Sequence, residues 1–331
     1  MLMSLAAQCE GFERHGESDG FSITLRDFSE LEQIPVDERL TGAFTVRDGI
    51  FVDQSRRFAL REAPGQIEFW LDAGLRMSIP YLLQLGLIRT GRSFVHSAAV
   101  AYGSQSFVFP AFGGVGKTLL VSQLVSKEGF RLLGDDLCVV TQDGLATAYA
   151  RPFCLYEHHR EALEPVFERF GVTHAWPNIM GRAVRRLIDT ANIQAGIQVP
   201  RKRYRGIKGD YVLVSPIEIY GTEKICTEAL PIGAVVVLRR IPKLERIRID
   251  ECSWEDASRF ATNVTLHEWK TEIPAMLASA AVNSRVSAHE ATGEIMRQAF
   301  HAAQRTLVLS LPQKIDVAEY VNVVTDIMCG A

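Results

Sequence analysis

The sequence contains no long hydrophobic run. No stretch of its 331 residues approaches the roughly 18 uncharged apolar residues that a membrane-spanning helix needs. The N-terminal segment has no basic region, and Glu10 interrupts its short apolar run, so it lacks the pattern of a signal peptide. We therefore expect neither a membrane span nor a membrane partner.

Closely spaced cysteines are also missing: the six cysteines lie far apart, and no two of them form a C-x-x-C pair. Such wide spacing argues against a zinc ribbon and against a disulfide framework, and it is typical of reduced thiols in a cytosol. A cytoplasmic enzyme is the class of protein that we expect. The six cysteines are Cys9, Cys138, Cys154, Cys226, Cys252 and Cys329.

An excess of charge of one sign is also missing. The formal net charge is −3, which gives no reason to expect nucleic acid as a partner, so any anion site must come from a local cluster of basic residues. The sequence has no internal repeat, and 47% of its residues are hydrophobic against 23% charged. This composition predicts a large buried core and leaves homo-oligomerisation open.

The order of local patterns predicts an α/β protein with two domains. Residues 1–90 contain short alternating segments followed by a helical stretch, which predicts a small α+β domain. Residues 91–331 are expected to form a larger domain of mixed sheet flanked by helices, with a helical C-terminal part. The elements predicted in the first domain are strands at Phe21–Leu25, Ala43–Val46 and Phe58–Arg61 and a helix at Phe69–Leu85.

The larger domain begins with a dense series of predicted strands. Gly103-Ser104 is typical of a hairpin turn between two of them, and residues 253–305 have a helical composition. A short helix is expected at the C-terminus. The predicted strands are Ala98–Tyr102, Phe107–Phe109, Phe130–Leu133, Leu137–Val140, Leu145–Ala150, Ala234–Leu238 and Leu307–Leu311.

The strongest motif is a glycine-rich turn between a predicted strand and a predicted helix. The backbone N–H groups of such a turn, with the partial positive charge of a helix N-terminus, form a site for a phosphate chain. Lys117 is expected to face solvent in the empty site and to reach the β- and γ-phosphates of ATP, while Thr118 offers its hydroxyl to Mg²⁺. The motif consists of Gly113, Gly114, Val115, Gly116, Lys117 and Thr118, with Ala111 where the full pattern has a glycine.

Two further signals flank this loop. Asp135-Asp136 follows it after a predicted strand, where one carboxylate can serve a metal ion and the other a nucleophile. His96 precedes it, at the start of the predicted hairpin. A lone histidine among apolar residues is more often structural, but this position places His96 at one end of the same sheet as Asp135.

The stretch from His96 to Val140 resembles the kinase core shared by HPr kinase/phosphorylase and ATP-type phosphoenolpyruvate carboxykinase. In that superfamily a histidine begins a strand, a hairpin leads to a G-x-G-K-[ST] loop, and a pair of aspartates follows. The resemblance implies a core of the same fold, ATP and Mg²⁺ as cofactors, and phosphoryl transfer. It also implies that Asp135 and His96 form the catalytic base and that Asp136 and Thr118 bind Mg²⁺, although the two aspartates can exchange roles.

The glycine-rich signature that follows this core in HPr kinase is not recognisable, and Tyr204–Gly209 is only a faint echo of it. The resemblance therefore implies a kinase whose acceptor is a hydroxyl of a peptide, a protein serine or a small molecule, rather than HPr. A basic region downstream suggests a clamp for the transferring phosphate, or else a solvated face. The candidate clamp residues are Arg151, Arg182, Arg185 and Arg203.

One alternative function comes from a different class. The sequence Gly-Gly-Val-Gly-Lys-Thr also opens the nucleotide domains of signalling ATPases that work as nucleotide switches. Those proteins usually carry large sensor or repeat modules, which this chain lacks, and His96 has no place in that pattern. The sequence therefore favours the kinase over the switch.

Overall fold

A computed structural model gives the fold. It describes residues 22–40, 43–55, 57–63, 65–71, 79–149, 151–156, 163, 166, 168, 211–270, 273–282 and 287–330. The described parts of Met1–Arg151 and Tyr220–Ala331 form one compact unit, and that of Pro152–Ile219 forms a second. The chain is a mixed α/β protein with two mixed sheets and helices.

The first sheet has six strands in the order β1-β6-β5-β4-β3-β2. Only β1 and β6 run parallel; the other neighbours are antiparallel. The strands are β1 (Ser22–Asp27), β2 (Glu38–Arg39), β3 (Phe44–Arg47), β4 (Ile50–Asp53), β5 (Phe58–Ala63) and β6 (Gln66–Leu71).

Alternation along β6 explains why its residues form a strand. Phe69 and Leu71 join the main core on one face of the sheet, whereas Trp70 joins a smaller cluster with Phe28 on the other face. Successive side chains of a strand point to opposite faces, so all three are buried. The helix predicted at Phe69–Leu85 is wrong at Phe69–Leu71, where pairing with β1 and β5 overrides the helical composition. The described helix of this region is Ile79–Leu87.

The second sheet has nine strands, and its main path is β10-β8-β9-β15-β12-β11-β7, with β17 on β15 and β16 on β17. Strand β15 runs parallel to β9 and β17 and antiparallel to β12. The strands are β7 (Arg92–Val95), β8 (Ser97–Tyr102), β9 (Gln105–Pro110), β10 (Phe130–Gly134), β11 (Cys138–Thr141), β12 (Leu145–Thr147), β15 (Leu230–Arg240), β16 (Arg248–Glu251) and β17 (Arg305–Leu311). The hairpin predicted at Gly103-Ser104 joins β8 to β9 and is confirmed.

Helices flank this sheet. The described helices are α1 (Ile79–Leu87), α2 (Lys117–Val125), α3 (Pro216–Tyr220), α4 (Trp254–Glu268), α5 (Ile273–Val282), α6 (Ala288–His301) and α7 (Val317–Cys329), and short 3-10 helices lie at Phe28–Leu31, Ile88–Thr90 and Thr222–Lys224. The helical composition predicted for residues 253–305 and the C-terminal helix are confirmed. In the part of the chain that the structure describes, no helix has the length and apolarity to span a membrane.

One hydrophobic cluster joins both sheets within the first unit. It contains Phe51 and Phe69 from the first sheet, Phe94 and Val139 from the second, and Trp269 after α4. The boundaries between the two compact units fall between Arg151 and Pro152 and between Ile219 and Tyr220. The domain boundary near residue 90 stays a prediction.

The second unit contains a two-stranded antiparallel sheet, in which β13 (Phe153–Tyr156) pairs with β14 (Tyr211–Val214). Phe153, Leu155 and Val214 are buried there.

Candidate functional site

The glycine-rich loop connects the end of β9 at Pro110 to the start of α2 at Lys117. Gly116 precedes the helix with a φ of 112°, a left-handed conformation that side chains disfavour. A Cβ added at Gly113 or Gly114 would meet nothing within 4 Å, so this side of the loop faces open space. The first N–H groups of a helix lack partners within the helix, so the start of α2 offers donors toward that space.

Lys117 is buried, contrary to the expectation that it faces solvent in the empty site. Its Nζ donates to the carbonyl oxygens of Ala111 at 2.7 Å and Phe112 at 3.2 Å, and it lies 2.8 Å from His96 Nε2. An ammonium group has three donors and no acceptor, so these contacts satisfy all of its hydrogens. Burial lowers the pKa of Lys117 despite the nearby carboxylates.

His96 lies between β7 and β8 and is almost fully buried. Its backbone N–H donates to Thr265 Oγ1 at 2.8 Å, which fixes it against α4. Because the Lys117 ammonium only donates, Nε2 of His96 must accept, and the proton of the neutral ring lies on Nδ1, 3.4 Å from Asp136 Oδ1. Burial, followed by the charge of Lys117, lowers the pKa of His96 to about 4. The ring is therefore neutral near pH 7.

A sharp turn after β10 presents the two aspartates. A Cβ at Gly134 would lie 2.0 Å from the carbonyl oxygen of Leu137, so only glycine fits this close approach. The backbone N–H of Ser97 donates to the Asp136 carbonyl at 3.1 Å and ties the turn to β8. The aspartates thus lie beside the start of the hairpin, as predicted, and their side chains point to different partners.

Asp135 is paired with the loop. Thr118 Oγ1 donates to its Oδ2 at 3.1 Å, while its buried Oδ1 has no hydrogen-bond partner among the described residues. Burial, followed by repulsion from Asp136, raises the pKa of Asp135 to about 7. Burial raises the pKa of the nearby Tyr220, and the negative charge of Asp135 raises it further.

Asp136 is paired with His96 and with Arg151, whose Nη2 lies 2.9 Å from Asp136 Oδ2. Burial alone would raise the pKa of Asp136, but the positive charges around it, that of Arg151 first, outweigh burial and lower it. The side chain keeps 35% exposure, so a ligand can reach it.

The contacts pair the two aspartates in the opposite way to the sequence-based assignment. Asp135, predicted beside His96, contacts Thr118; Asp136, predicted beside Thr118, contacts His96. The reason is the turn geometry, which directs neighbouring side chains to opposite sides of the strand end. The catalytic and metal-binding roles themselves stay predictions.

The candidate phosphate clamp is only partly described. Arg151 belongs to the site, but in this structure its guanidinium neutralises Asp136. The other candidates, Arg182, Arg185 and Arg203, lie outside the described residues.

Helix α4 contributes residues that the sequence analysis missed. Thr265 holds the backbone of His96, and Glu268 Oε1 lies 3.8 Å from His96 Nε2. No local sequence signal could have found either, since both are far along the chain from the loop. Phe112 was overlooked although it lies inside the motif; its exposed ring contacts His267.

Arg240, at the end of β15, also contacts the loop. Its Nε donates to the Val115 carbonyl at 3.3 Å and its Nη1 to the Gln313 carbonyl at 2.7 Å. These two bonds connect the loop to the segment before α7, and they stabilise its shape.

The side chains present fit a Mg²⁺ ion that is bound together with a nucleotide. Mg²⁺ in such sites takes one or two protein oxygens and completes its shell with phosphate oxygens and water. Thr118 Oγ1 and Asp135 supply hard oxygen ligands, and Asp135 Oδ1 is a buried acceptor with no hydrogen-bond partner among the described residues. In the described ranges no group of three or more His, Cys, Asp or Glu side chains could hold a metal by itself.

Comparisons with known proteins add little to this geometry. No protein-family model matches the chain, and no curated protein matches it. Among solved structures, the chain is similar to the Hpr(Ser) kinase/phosphatase from Coxiella burnetii, with 9% identity and a TM-score of 0.26, over 54% of this chain and 99% of that one. A TM-score this low carries no argument, so the function has to be inferred from the site.

Proposed function

We propose that the protein is an ATP-dependent phosphotransferase with a core of the HPr kinase and phosphoenolpyruvate carboxykinase type. It transfers the γ-phosphoryl group of ATP to a hydroxyl of a peptide, a protein serine or a small molecule. The observation that carries the proposal is that two contact pairs meet at one glycine-rich loop: Thr118 with Asp135, and Lys117 with His96. Phosphoryl transfer requires little more than positioned charges, a metal ion and a base.

The loop and Lys117 bind the phosphate chain. The open side of Gly113 and Gly114 leaves room for phosphate oxygens next to the N-terminus of α2. Lys117 has to leave its three protein acceptors to reach the phosphates, and the γ-phosphate offers charged oxygens in exchange. Nucleotide binding therefore frees His96 Nε2 from Lys117.

Asp135 and Thr118 hold Mg²⁺. When bound, the ion neutralises charge on the β- and γ-phosphates. Asp135 has to lose its proton to bind a cation, and a raised pKa makes this binding depend on pH near neutrality.

Asp136 and His96 form the base. The acceptor oxygen forms a bond to the γ-phosphorus, the bond to the leaving ADP breaks, and the hydroxyl proton passes to the Asp136 carboxylate. His96 Nδ1–H faces the same carboxylate and orients it, while Arg151 offsets its charge. This assignment exchanges the roles that the resemblance implied for the two aspartates.

We propose further that the enzyme works in the cytoplasm and requires neither nucleic acid nor a membrane. The net charge of −3 and the scattered cysteines motivate this assignment.

Product stoichiometry tests the proposal. With ATP–Mg²⁺ and a library of peptide and small-molecule alcohols, ³¹P NMR and mass spectrometry should find ADP and a phosphomonoester in equal amounts. Hydrolysis without an acceptor should be slow. Free phosphate as the sole product, whatever alcohol is supplied, would favour the nucleotide-switch ATPase, and failure to bind ATP–Mg²⁺ would exclude both functions.

A further inference from the structure

A closed ring of contacts surrounds one side of the site. Phe112 contacts the His267 ring, with centroids 5.6 Å apart, and Glu268 is the next residue of α4. Glu268 Oε1 lies 3.8 Å from His96 Nε2, which lies 2.8 Å from Lys117 Nζ, and this ammonium donates back to the Phe112 carbonyl. These contacts place Phe112 next to Lys117 and Glu268 next to His96, which belongs to the proposed base.

Glu268 places a carboxylate beside His96. Its side chain is 42% exposed, and among the described residues no lysine or arginine lies within ion-pair distance of it. Lys117 is near enough for Glu268 to affect its pKa. Once Lys117 turns to the phosphates, Glu268 loses even this neighbour and faces a nucleotide of the same sign. A cation beside this anion would stabilise it.

Phe112 presents an exposed aromatic ring at the same place. It is 42% exposed, one of few large hydrophobic side chains with this much exposure in the described part of the chain. Phe260 and His267 contact it edge-on at 5.8 and 5.6 Å, which holds the ring in place. An exposed aromatic ring near a carboxylate is a combination that binds ammonium groups, because both attract a cation.

We propose that Phe112 and Glu268 form the part of the acceptor site that binds an ammonium group, so that the alcohol phosphorylated by this protein is cationic. The inference rests on the proposed function and specifies its substrate class. The ammonium group lies a few bonds from the reacting hydroxyl, because Glu268 and Asp136 contact the two nitrogens of the same His96 ring.

A matched pair of probes tests this without knowledge of the natural acceptor. Choline and 3,3-dimethylbutan-1-ol have the same shape and differ in the positive charge. Their binding is measured by NMR titration in the presence of Mg²⁺ and a non-hydrolysable ATP analogue. We expect the wild-type protein to bind choline about tenfold more tightly, the sum of a cation–π contact and a half-exposed ion pair.

Variants locate the preference. Glu268→Gln should reduce the ratio of the two affinities to about one, and Phe112→Leu should reduce it partly, since leucine keeps the apolar contact but not the aromatic face. Glu255→Gln, an exposed acid in the first turn of the same helix, should keep the full ratio. The ratio is informative even if a variant loses overall affinity, and circular dichroism checks folding.

The outcomes separate this inference from the proposed function. If the wild-type protein binds the nucleotide analogue but binds choline no more tightly than 3,3-dimethylbutan-1-ol, the ammonium subsite is wrong and the kinase proposal stands. The subsite is also wrong if Glu268→Gln keeps the preference for choline over 3,3-dimethylbutan-1-ol. This holds even if that variant changes the Mg²⁺ requirement. If the nucleotide analogue does not bind, the proposed function itself fails, and the subsite with it.

Discussion

Two clusters of ionised side chains in this protein differ in how well their charges are satisfied. On the first sheet, Glu68 accepts two hydrogen bonds from Arg26, at 3.2 and 3.0 Å, and one from Arg61 at 2.7 Å. Both guanidinium groups also lie over the Trp70 ring. Burial opposes the charge, but the hydrogen bonds from the arginines outweigh it and lower the pKa of Glu68.

The cluster at the glycine-rich loop is the opposite case. Asp135 accepts one bond from a neutral hydroxyl, keeps one oxygen without a partner among the described residues, and lies next to Asp136. Its pKa is raised to about 7, chiefly by burial. Lys117 meanwhile donates to neutral groups rather than to a carboxylate.

The difference separates structural charge from functional charge. A buried carboxylate whose partners are supplied by the fold needs no ligand, whereas a buried carboxylate left without partners is stabilised when a ligand supplies them. Glu68 belongs to the first kind and Asp135 to the second. The contrast can be tested by substitutions in the two clusters.

The largest effect is expected at Lys117. Lys117→Met keeps the buried apolar stem but removes the ammonium group, so turnover should fall by at least about 10³-fold, because the loop loses the charge that would stabilise the transferring phosphate. ATP–Mg²⁺ affinity, measured by isothermal titration, should also fall. Lys243→Met, an exposed lysine, is the control. Unchanged affinity and turnover would remove Lys117 from the site.

Asp136→Asn should come next. Loss of a positioned base typically lowers kcat by about 10²–10⁴-fold, and ATP–Mg²⁺ should still bind because the Thr118–Asp135 pair is intact. Single-turnover kinetics measure the chemical step. If the variant instead keeps kcat and requires more Mg²⁺, the roles of the two aspartates are those that the resemblance implied.

Asp135→Asn should act on the metal. The Mg²⁺ concentration for half-maximal activity should rise about tenfold or more, because the cation loses a charged ligand. In the wild-type protein, Mg²⁺ affinity should rise with pH and level off above about 7, where the Asp135 carboxyl has lost its proton. The variant should lack this pH dependence. A Mg²⁺ titration of activity at pH 6, 7 and 8 tests it, and a parallel pH dependence in both proteins would contradict it.

The smallest effects concern stability, and the two clusters should differ in them. Glu68→Gln should destabilise the protein by about 1 kcal/mol, since it weakens charge-assisted bonds to arginines that are themselves partly exposed. Asp135→Asn should be neutral or stabilising at pH 8, where the wild-type carboxyl is charged, buried and incompletely bonded. Urea unfolding at pH 5 and 8 measures both.

The pH dependence of this comparison has a definite sign. The folded-state pKa of Asp135 lies above its ordinary value, so the stability that Asp135 contributes is present at low pH and is lost as the pH rises toward about 7. His96 acts in the other direction: its pKa is lowered to about 4, so its contribution is full above its ordinary pKa of 6.5 and is lost as the pH falls. The difference between wild type and Asp135→Asn isolates the first effect, and an equal difference at pH 5 and 8 would contradict it.

Local patterns were sufficient to predict the elements around the loop. The density of strand-forming residues predicted β8 and β9, Gly103-Ser104 predicted the turn between them, and the glycine-rich motif predicted a loop that ends at the start of a helix. These features depend on residues close together in the chain, and glycine at Gly116 reflects a backbone conformation that the motif itself requires. The order of histidine, loop and aspartates could likewise be derived without the fold.

Only the tertiary structure decided which of these residues are partners. The strand at Phe69–Leu71 forms because two neighbouring strands pair with it, against its helical composition. Lys117 is buried with its ammonium group against His96, and the turn after β10 decides that Asp135 contacts Thr118 and Asp136 contacts His96. Glu268 reaches the site because α4 packs beside His96. Side-chain direction and contacts between distant segments depend on three-dimensional packing, and no local sequence pattern contains that information.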